Sequence, residues 1–225
     1  MWCVPELTPE YVARMEDVLR VYARPVKASE PVVCLDERPV VLHDDSRPGV
    51  AMKPGRVGRK DYEYVRRGTA NVFCIVEPLT GRRLTRATRN RTGAAFARTL
   101  KRVADRYANA RKIHLVMDNL STHSKTSLVK TFGDAEGVAL WKRFRVHFTP
   151  KHGSWLNAAE IEASLVSREC LGTRRLGDLA TLRREVARWR KAADAAGRKI
   201  DWKFRVSDAR DRFRYSGIVT KRSKH

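Results

Sequence analysis

The sequence has 225 residues, enough for one well-packed domain with short appended segments. Its 47 Lys and Arg residues against 25 Asp and Glu residues give a formal net charge of +22, which favours a polyanionic partner, nucleic acid before a ribosomal or membrane surface. It contains no signal-peptide pattern and no membrane-spanning stretch, and its four cysteines lack zinc-ligand spacing. We therefore expect a cytoplasmic, nucleoid-associated protein with reduced cysteines and no membrane partner.

The first predicted elements are a surface helix and a strand. The helix begins at Thr8 and ends at Pro25, because apolar residues recur on one face. Four apolar residues at 32–35 then predict a buried strand that leads to Asp36 and Glu37. Because side chains alternate along a strand, these two acids should point to opposite faces, and at most one should belong to any single site.

A long basic segment at 44–60 follows this strand. It is rich in Pro, Gly and basic residues without periodicity, which predicts an exposed loop or hairpin arm. The sequence does not decide whether this segment contacts phosphates or is only solvated. Strands are predicted next at 71–77 and 83–89, the second polar enough to lie near a sheet edge, and an amphipathic helix at 92–110.

The stretch 112–125, KIHLVMDNLSTHSK, combines a short apolar run with polar turn residues. The run predicts a strand buried on both faces, so that Asp118 lies at its carboxyl end, where open α/β sheets place their chemistry. A helix N-cap is the alternative role for Asp118. Asn119 and His123 follow on the same turn, and either could orient Asp118, contact DNA phosphate, or serve only as a turn residue.

The next segments supply further candidate residues. Residues 125–143 are weakly helical, 145–148 predict a short strand, and a helix runs from Ser154 or Asn157 to about Leu171.

That last helix carries two glutamates, Glu160 and Glu162. They lie about 200° apart around the helix axis, so both cannot face one site, and periodicity does not choose between them. Lys151 and His152 immediately precede the helix and either contact the DNA backbone or belong to a solvated loop. After it, Asp178 caps a helix that ends at Gly197, and residues 202–206 alternate like a short strand.

The order of these elements, three strands, helix, strand, helix, strand, helix, is that of the RNase H-like fold. This is an α/β fold with a mixed sheet flanked by helices, in which the first and fourth strands are neighbours. Asp36 and Asp118 would then lie side by side, and the late helix would bring a glutamate to them. Three converging carboxylates repel one another unless cations are bound, and hard oxygen ligands suit Mg²⁺ or Mn²⁺.

Five motifs relate this sequence to a known family. They are VVCLDE (32–37), DYEYVRRGTANVF (61–73), LVMDNLSTH (115–123), FTPKHGSWLNAAEIE (148–162) and DLATLRREVARW (178–189). Together they resemble the catalytic domain of DDE transposases of the insertion-sequence 630 family, the bacterial branch of the mariner superfamily. The resemblance implies that Asp36, Asp118 and Glu160 are the catalytic, metal-binding acids. It selects Glu160 over Glu162 because LNAAE matches the superfamily's Leu-Asn-Pro-Ile-Glu element.

The resemblance also implies an activity and partners. Two divalent ions, Mg²⁺ or Mn²⁺, would assist cleavage of DNA strands at the transposon ends and attack of the freed 3′-hydroxyls on a TA target. A homodimer on DNA is expected, since two ends are processed together. The implied domains are a linker and helix at 1–30, the DDE catalytic domain at 31–215, and a basic tail at 216–225 that we expect to be disordered.

Two departures from the family pattern leave alternatives open. Asp118 and Glu160 are further apart in sequence than in mariner proteins, which predicts an insertion within 132–144. The usual N-terminal helix-turn-helix modules are missing from this sequence, so an upstream-frame helix-turn-helix polypeptide is a possible partner. The alternative functions are an RNase H-like endonuclease that does not join strands and a non-catalytic, truncated DNA-binding or inhibitory fragment.

Overall fold

The computed structural model describes residues 7–215, in which five strands form one mixed sheet flanked by helices. The strands are β1 (Val32–Asp45), β2 (Tyr64–Glu77), β3 (Arg82–Thr88), β4 (Ile113–Met117) and β5 (Phe144–Phe148). Their order across the sheet is β3-β2-β1-β4-β5, which agrees with the predicted RNase H-like arrangement and places the first and fourth strands side by side. The predicted basic tail lies outside the described residues.

The helices cover both faces of this sheet. They are α1 (Pro9–Tyr22), α2 (Gly93–Arg106), α3 (Lys125–Phe132), α4 (Asp134–Lys142), α5 (Ala159–Leu165), α6 (Leu179–Ala195) and α7 (Val206–Phe213). Helices α2 and α3 pack on the face that carries Leu35 and Phe73, whereas α1, α5 and α6 pack on the face that carries Cys34 and Cys74. Among residues 7–215, none of the helices combines the length and hydrophobicity needed to span a bilayer.

Strand β1 is longer than the sequence predicts. The predicted end at Asp36 and Glu37 is wrong, because β1 continues to Asp45 and pairs with β2 in antiparallel register along this whole extension. The two acids therefore lie inside the strand. They lie immediately beyond the point where the parallel pairing of β1 with β4, Val32–His114 to Cys34–Val116, ends.

Residues 46–63 form an exposed hairpin between β1 and β2, which we call the arm. Two isolated bridges, Val50–Arg59 and Lys53–Arg56, hold its sides together. Arg175 fastens its base by donating hydrogen bonds to the carbonyl oxygens of Asp61, Tyr62 and Glu63. The predicted exposed loop or hairpin arm is confirmed.

Two predicted elements differ from the structure. The helix expected from about residue 154 to 171 is divided into a 3₁₀ turn (Ser154–Leu156), α5, and a π-helical segment (Val166–Leu171). The strand expected at 202–206 is wrong. Its alternating aromatic residues instead pack against neighbouring rings, Trp202 on Tyr22 and Phe204 on Trp155. Alternation there reflects this aromatic packing, not strand pairing.

Candidate functional site

The register of β1 and β4 brings Asp36 and Asp118 to one point. Cys34 pairs with Val116, so two residues further along both parallel strands Asp36 is level with Asp118. Both carboxyls are partly exposed. Burial raises the pKa of Asp36 to about 7, and the negative charges of Glu160 and Asp118 add to the increase. Glu160 and Asp118 thus both act on Asp36 as negative charges.

The two glutamates of α5 occupy opposite environments. Glu162 is fully buried, and its Oε1 lies 2.8 Å from Nε of Arg83, a β3 residue that is also fully buried. Glu160 is exposed on the other side of the helix, on the side of Asp36. The structure thus separates the two residues that periodicity leaves equivalent: Glu162 belongs to the core, and Glu160 is exposed.

Asn157 connects the start of α5 directly to β1. Its Nδ2 donates to the carbonyl oxygen of Leu35 at 2.8 Å, and its Oδ1 accepts from the backbone N–H of Ala159 at 3.1 Å. Because Leu35 directly precedes Asp36, this one buried side chain fixes the position of Glu160 relative to Asp36. The sequence suggests Asn157 only as a helix cap, and its bond to β1 becomes visible only in the fold.

His123 joins Asp118 to Glu37. Its Nδ1 is hydrogen-bonded to the backbone carbonyl oxygen of Asp118 at 3.2 Å and lies 2.7 Å from Oδ1 of the same residue. Its Nε2 lies 2.6 Å from Oε1 of Glu37, and its buried ring stacks on Phe96 with centroids 4.5 Å apart. Burial disfavours the charged imidazolium, but the hydrogen bonds and charges of Asp118 and Glu37 outweigh this and raise the pKa of His123 to about 9. His123 is therefore a cation at neutral pH.

This contact also lowers the pKa of Asp118. Partial burial alone would raise that pKa, but the hydrogen bond and charge from His123 reverse the effect. Asp36 and Glu37 do point to opposite faces, as alternation predicts. Glu37 nevertheless affects Asp118, because it contacts His123, which in turn contacts Asp118. Glu37 and His123 are 86 positions apart, and no local sequence pattern indicates their contact.

Among the described residues, one group of side chains brings three metal-ligating atoms close together. Glu37, Asp118 and His123 offer ligand atoms within 4.8 Å of one another, but each His123 nitrogen already contacts a carboxylate oxygen, so hydrogen bonding explains that group. Asp36 and Glu160 differ from this group because they lack a basic partner in the described part of the chain. Within residues 7–215, no basic side chain lies within 4.0 Å of either carboxylate, although the chain has 47 Lys and Arg residues. In the same part of the chain, Oδ1 of Asp36 accepts only from the backbone N–H of Glu37, at 2.7 Å, and carboxylate oxygens without a basic partner are suitable ligands for a divalent cation.

The remaining predicted residues line an open groove beside Asp118. Asn119, Lys151 and His152 face the start of α1, including Tyr11 and Arg14, across a volume of about 540 Å³. All three predicted residues are exposed, and His152 adopts a left-handed backbone conformation with φ of 61°. The structure places them together next to the acids. Their contact with DNA stays a prediction.

A mixed sheet of this topology, flanked by helices and with carboxylates on adjacent parallel strands, has the RNase H-like fold. Residues 31–183 match the DDE superfamily endonuclease family, and the chain belongs to that family. No curated protein matches the sequence.

Solved structures show the same fold. The chain is similar to the Mos1 mariner paired end complex with Mn, with a TM-score of 0.52 and 13% identity over 85% of this chain and 58% of that chain. It is also similar to the Mos1 Strand Transfer Complex, with a TM-score of 0.50 and 13% identity over 89% of this chain and 66% of that chain. The chain thus spans about three fifths to two thirds of the Mos1 chains.

Proposed function

We propose that this chain is the catalytic domain of a transposase of the insertion-sequence 630 family, which cleaves DNA at the ends of an insertion sequence and joins them to target DNA. The observation that supports the proposal is the position of Asp36 level with Asp118 on adjacent parallel strands, with Asn157 attaching the Glu160 helix to the same strand, in a strongly basic chain. Such a cluster is costly to maintain unless it binds cations. Membership of the DDE superfamily endonuclease family supports the same conclusion.

In this proposal the three carboxylates hold two divalent ions, Mg²⁺ or Mn²⁺. When bound, the ions supply activation of the attacking water or 3′-hydroxyl and stabilisation of the leaving oxygen. The protein supplies the geometry: His123, held by Glu37, orients Asp118, and Asn157 holds Glu160 next to β1. Asn119, Lys151 and His152 contact the DNA backbone from their groove.

The proposed partners follow from this activity. Transposon ends and target DNA bind to the basic surface, and two copies of the chain act together on paired ends. The large apolar side chains exposed on the arm, including Met52 and Val57, are consistent with a contact between copies. A helix-turn-helix segment, in the same or a separate polypeptide, recognises the end sequence.

Cleavage of a labelled DNA duplex in Mg²⁺, Mn²⁺ and Ca²⁺ tests the chemistry. We expect cleavage in Mg²⁺ or Mn²⁺ that falls by at least about a hundredfold in Asp118→Asn and Glu160→Gln, because each variant removes a cation ligand. Asp105→Asn, which alters an exposed acid on α2, is the matched control and should retain activity. Equal activity in all four proteins would contradict the assignment.

A second assay separates the transposase from a plain endonuclease. A pre-cut duplex with a free 3′-hydroxyl is mixed with supercoiled plasmid, with and without a helix-turn-helix segment added in trans. Strand transfer is supported if joined products form with the wild type and are lost when any of the three acids is substituted. Cleavage without any joining would favour the RNase H-like endonuclease, and neither reaction, with DNA binding intact, would favour the non-catalytic fragment.

A further inference from the structure

A second basic feature lies at the opposite side of the sheet from β5. Strand β3 is an edge strand, and a groove of about 300 Å³ runs along it between α2 and α6. Four arginines line this groove: Arg86 of β3, Arg102 of α2, and Arg183 and Arg190 of α6. We call it the arginine groove. None of these residues belongs to the candidate site or to the residues predicted to contact DNA.

The arginine groove lacks counter-charges. Across residues 7–215, no carboxylate oxygen lies within 4.0 Å of any of its four guanidinium groups. Some other arginines do have such partners, since Arg174, Arg198 and Arg210 each pair with a glutamate. Burial lowers the pKa of Arg86, and the positive charges of Arg102, Arg98 and Arg183 lower it further. Like charges are thus held together at an energetic cost that a bound anion would remove.

Two polar groups in the same groove have no protein partner. Nε of Arg190 and Oγ1 of Thr85 are both buried without a hydrogen bond. Both can donate, and a buried donor left unpaired costs about 1–3 kcal/mol. Arg86 is held in place by its bonds to the carbonyl oxygen of Ala95 and to Oγ1 of Thr99. The lining of the groove therefore includes a fixed guanidinium and two unsatisfied donors, which suits an anion with several acceptor oxygens.

The strand register gives the distance between the arginine groove and the acids. Thr85 pairs with Cys74, and Cys74 pairs with Asp36, so the three residues share one row across the sheet. Two strand spacings of roughly 4.8 Å put Thr85 about 10 Å from Asp36. This corresponds to about three base pairs of duplex at 3.4 Å each. A duplex of about 40 base pairs, roughly 140 Å long, is much longer than this separation.

We propose that the arginine groove binds the phosphodiester backbone of duplex DNA, as a contact separate from the candidate site. The inference rests on the proposed function for the identity of the ligand, but its test does not depend on catalysis. Backbone contacts carry no sequence information, so the groove sets the position of the duplex and part of its affinity.

Salt-dependent binding of a fluorescent 40-base-pair duplex of arbitrary sequence, measured in Ca²⁺ with the full chain, tests this proposal. The groove variant is Arg102→Gln, Arg183→Gln and Arg190→Gln together, which leaves the structural Arg86 intact. The control variant is Arg184→Gln, Arg188→Gln and Lys191→Gln, which removes the same charge from exposed positions of α6 that do not line the groove. Both retain Asp36, Asp118 and Glu160.

We expect the groove variant to lose about two to three units of slope in log K against log salt, and at least about tenfold in affinity at 0.15 M salt. The control variant should lose less than about one unit of this slope. A third protein with lysine at the three groove positions should recover most of the binding, which excludes misfolding as the cause. Equal losses in the groove and control variants would overturn the proposal.

The outcomes also separate this proposal from the proposed function. In one outcome, the wild type binds DNA well but never cleaves it, and the groove variant binds DNA weakly. The groove proposal is then retained and the catalytic assignment fails. If cleavage depends on the acids but the groove and control variants bind alike, the catalytic assignment is retained and the groove proposal fails.

Discussion

Two glutamates only two positions apart illustrate how burial decides the role of a residue. Glu162 is enclosed with Arg83, and burial raises its pKa although Arg83 opposes the increase. Glu160 is exposed next to Asp36 and has no basic partner within residues 7–215. The same side chain is therefore structural in one place and available for chemistry in the other.

Their substitution by glutamine should have opposite effects on stability. Glu162→Gln leaves the Arg83 guanidinium buried without a counter-charge, and we expect it to lower the free energy of unfolding by about 3–5 kcal/mol. Glu160→Gln removes a repulsion and should be neutral or slightly stabilising without metal. Urea denaturation in EDTA measures both values. Similar losses in the two variants would contradict the burial difference.

Glu37 provides a second prediction at this scale. In Glu37→Gln, His123 loses its charged anchor while the shape of the site is kept, so Asp118 is less well oriented. We expect Mn²⁺ affinity to fall by about 10- to 100-fold, as for other residues that orient a metal ligand. Titration followed by Mn²⁺ paramagnetic resonance measures this without any cleavage, and Glu136→Gln, an exposed acid on α4, is the control. Unchanged affinity would show that Glu37 has no positioning role.

Three elements meet at a buried pair of histidines. Nδ1 of His114 on β4 lies 2.9 Å from Nε2 of His147 on β5, and Nδ1 of His147 lies 2.6 Å from Oδ2 of Asp17 on α1. Burial lowers the pKa of His114 to about 4, with a further contribution from nearby basic groups such as Arg24. The first helix is therefore connected to the sheet through a pair that must stay uncharged at His114.

This arrangement predicts a loss of stability in mild acid. The unfolded chain binds a proton at His114 near pH 6.5, whereas the folded chain does so only near pH 4. The contribution of His114 to the free energy of unfolding is thus complete above about pH 6.5. It decreases by on the order of 2–3 kcal/mol as the pH falls to about 4. The pH dependence of wild type minus His114→Gln, from denaturant titrations, isolates this effect. A difference that does not vary between pH 7 and 4 would contradict it.

Elements differ in how far the sequence determines them. Strand β4 is buried on both faces, so its apolar run alone defines its limits. Strand β1 extends past its apolar run because β2 pairs with the whole extension, and this partner is not visible in the local pattern. The acids were predicted from their motifs. The Glu37–His123 and Arg83–Glu162 pairs and the arginine groove could not be, because each joins residues brought together only by the complete sheet.

The charge of the whole molecule affects its stability as well as its binding. A net charge of +22 on one domain creates self-repulsion that a bound polyanion relieves. A ligand that binds only the folded chain at a hundred times its Kd adds about 2.7 kcal/mol. We expect duplex DNA at that ratio to raise the Tm by about 5–10 °C in low salt, and the increase to disappear in 1 M NaCl. Differential scanning fluorimetry with an intrinsic tryptophan signal measures this shift, and an increase that persists in high salt would exclude an electrostatic origin.

The arm has a consequence for how the molecule can be divided. Its tip at Pro54 and Gly55 is exposed, and no core residue lies within it, so a break there removes no packing. A cut after Arg56 separates Asp36 from Asp118 and Glu160, yet β1 and β2 still pair on either side of the cut. The chain should therefore reassemble from two separately produced polypeptides. The proposed nuclease activity would then require both halves, which makes the hairpin a suitable place to build a split enzyme.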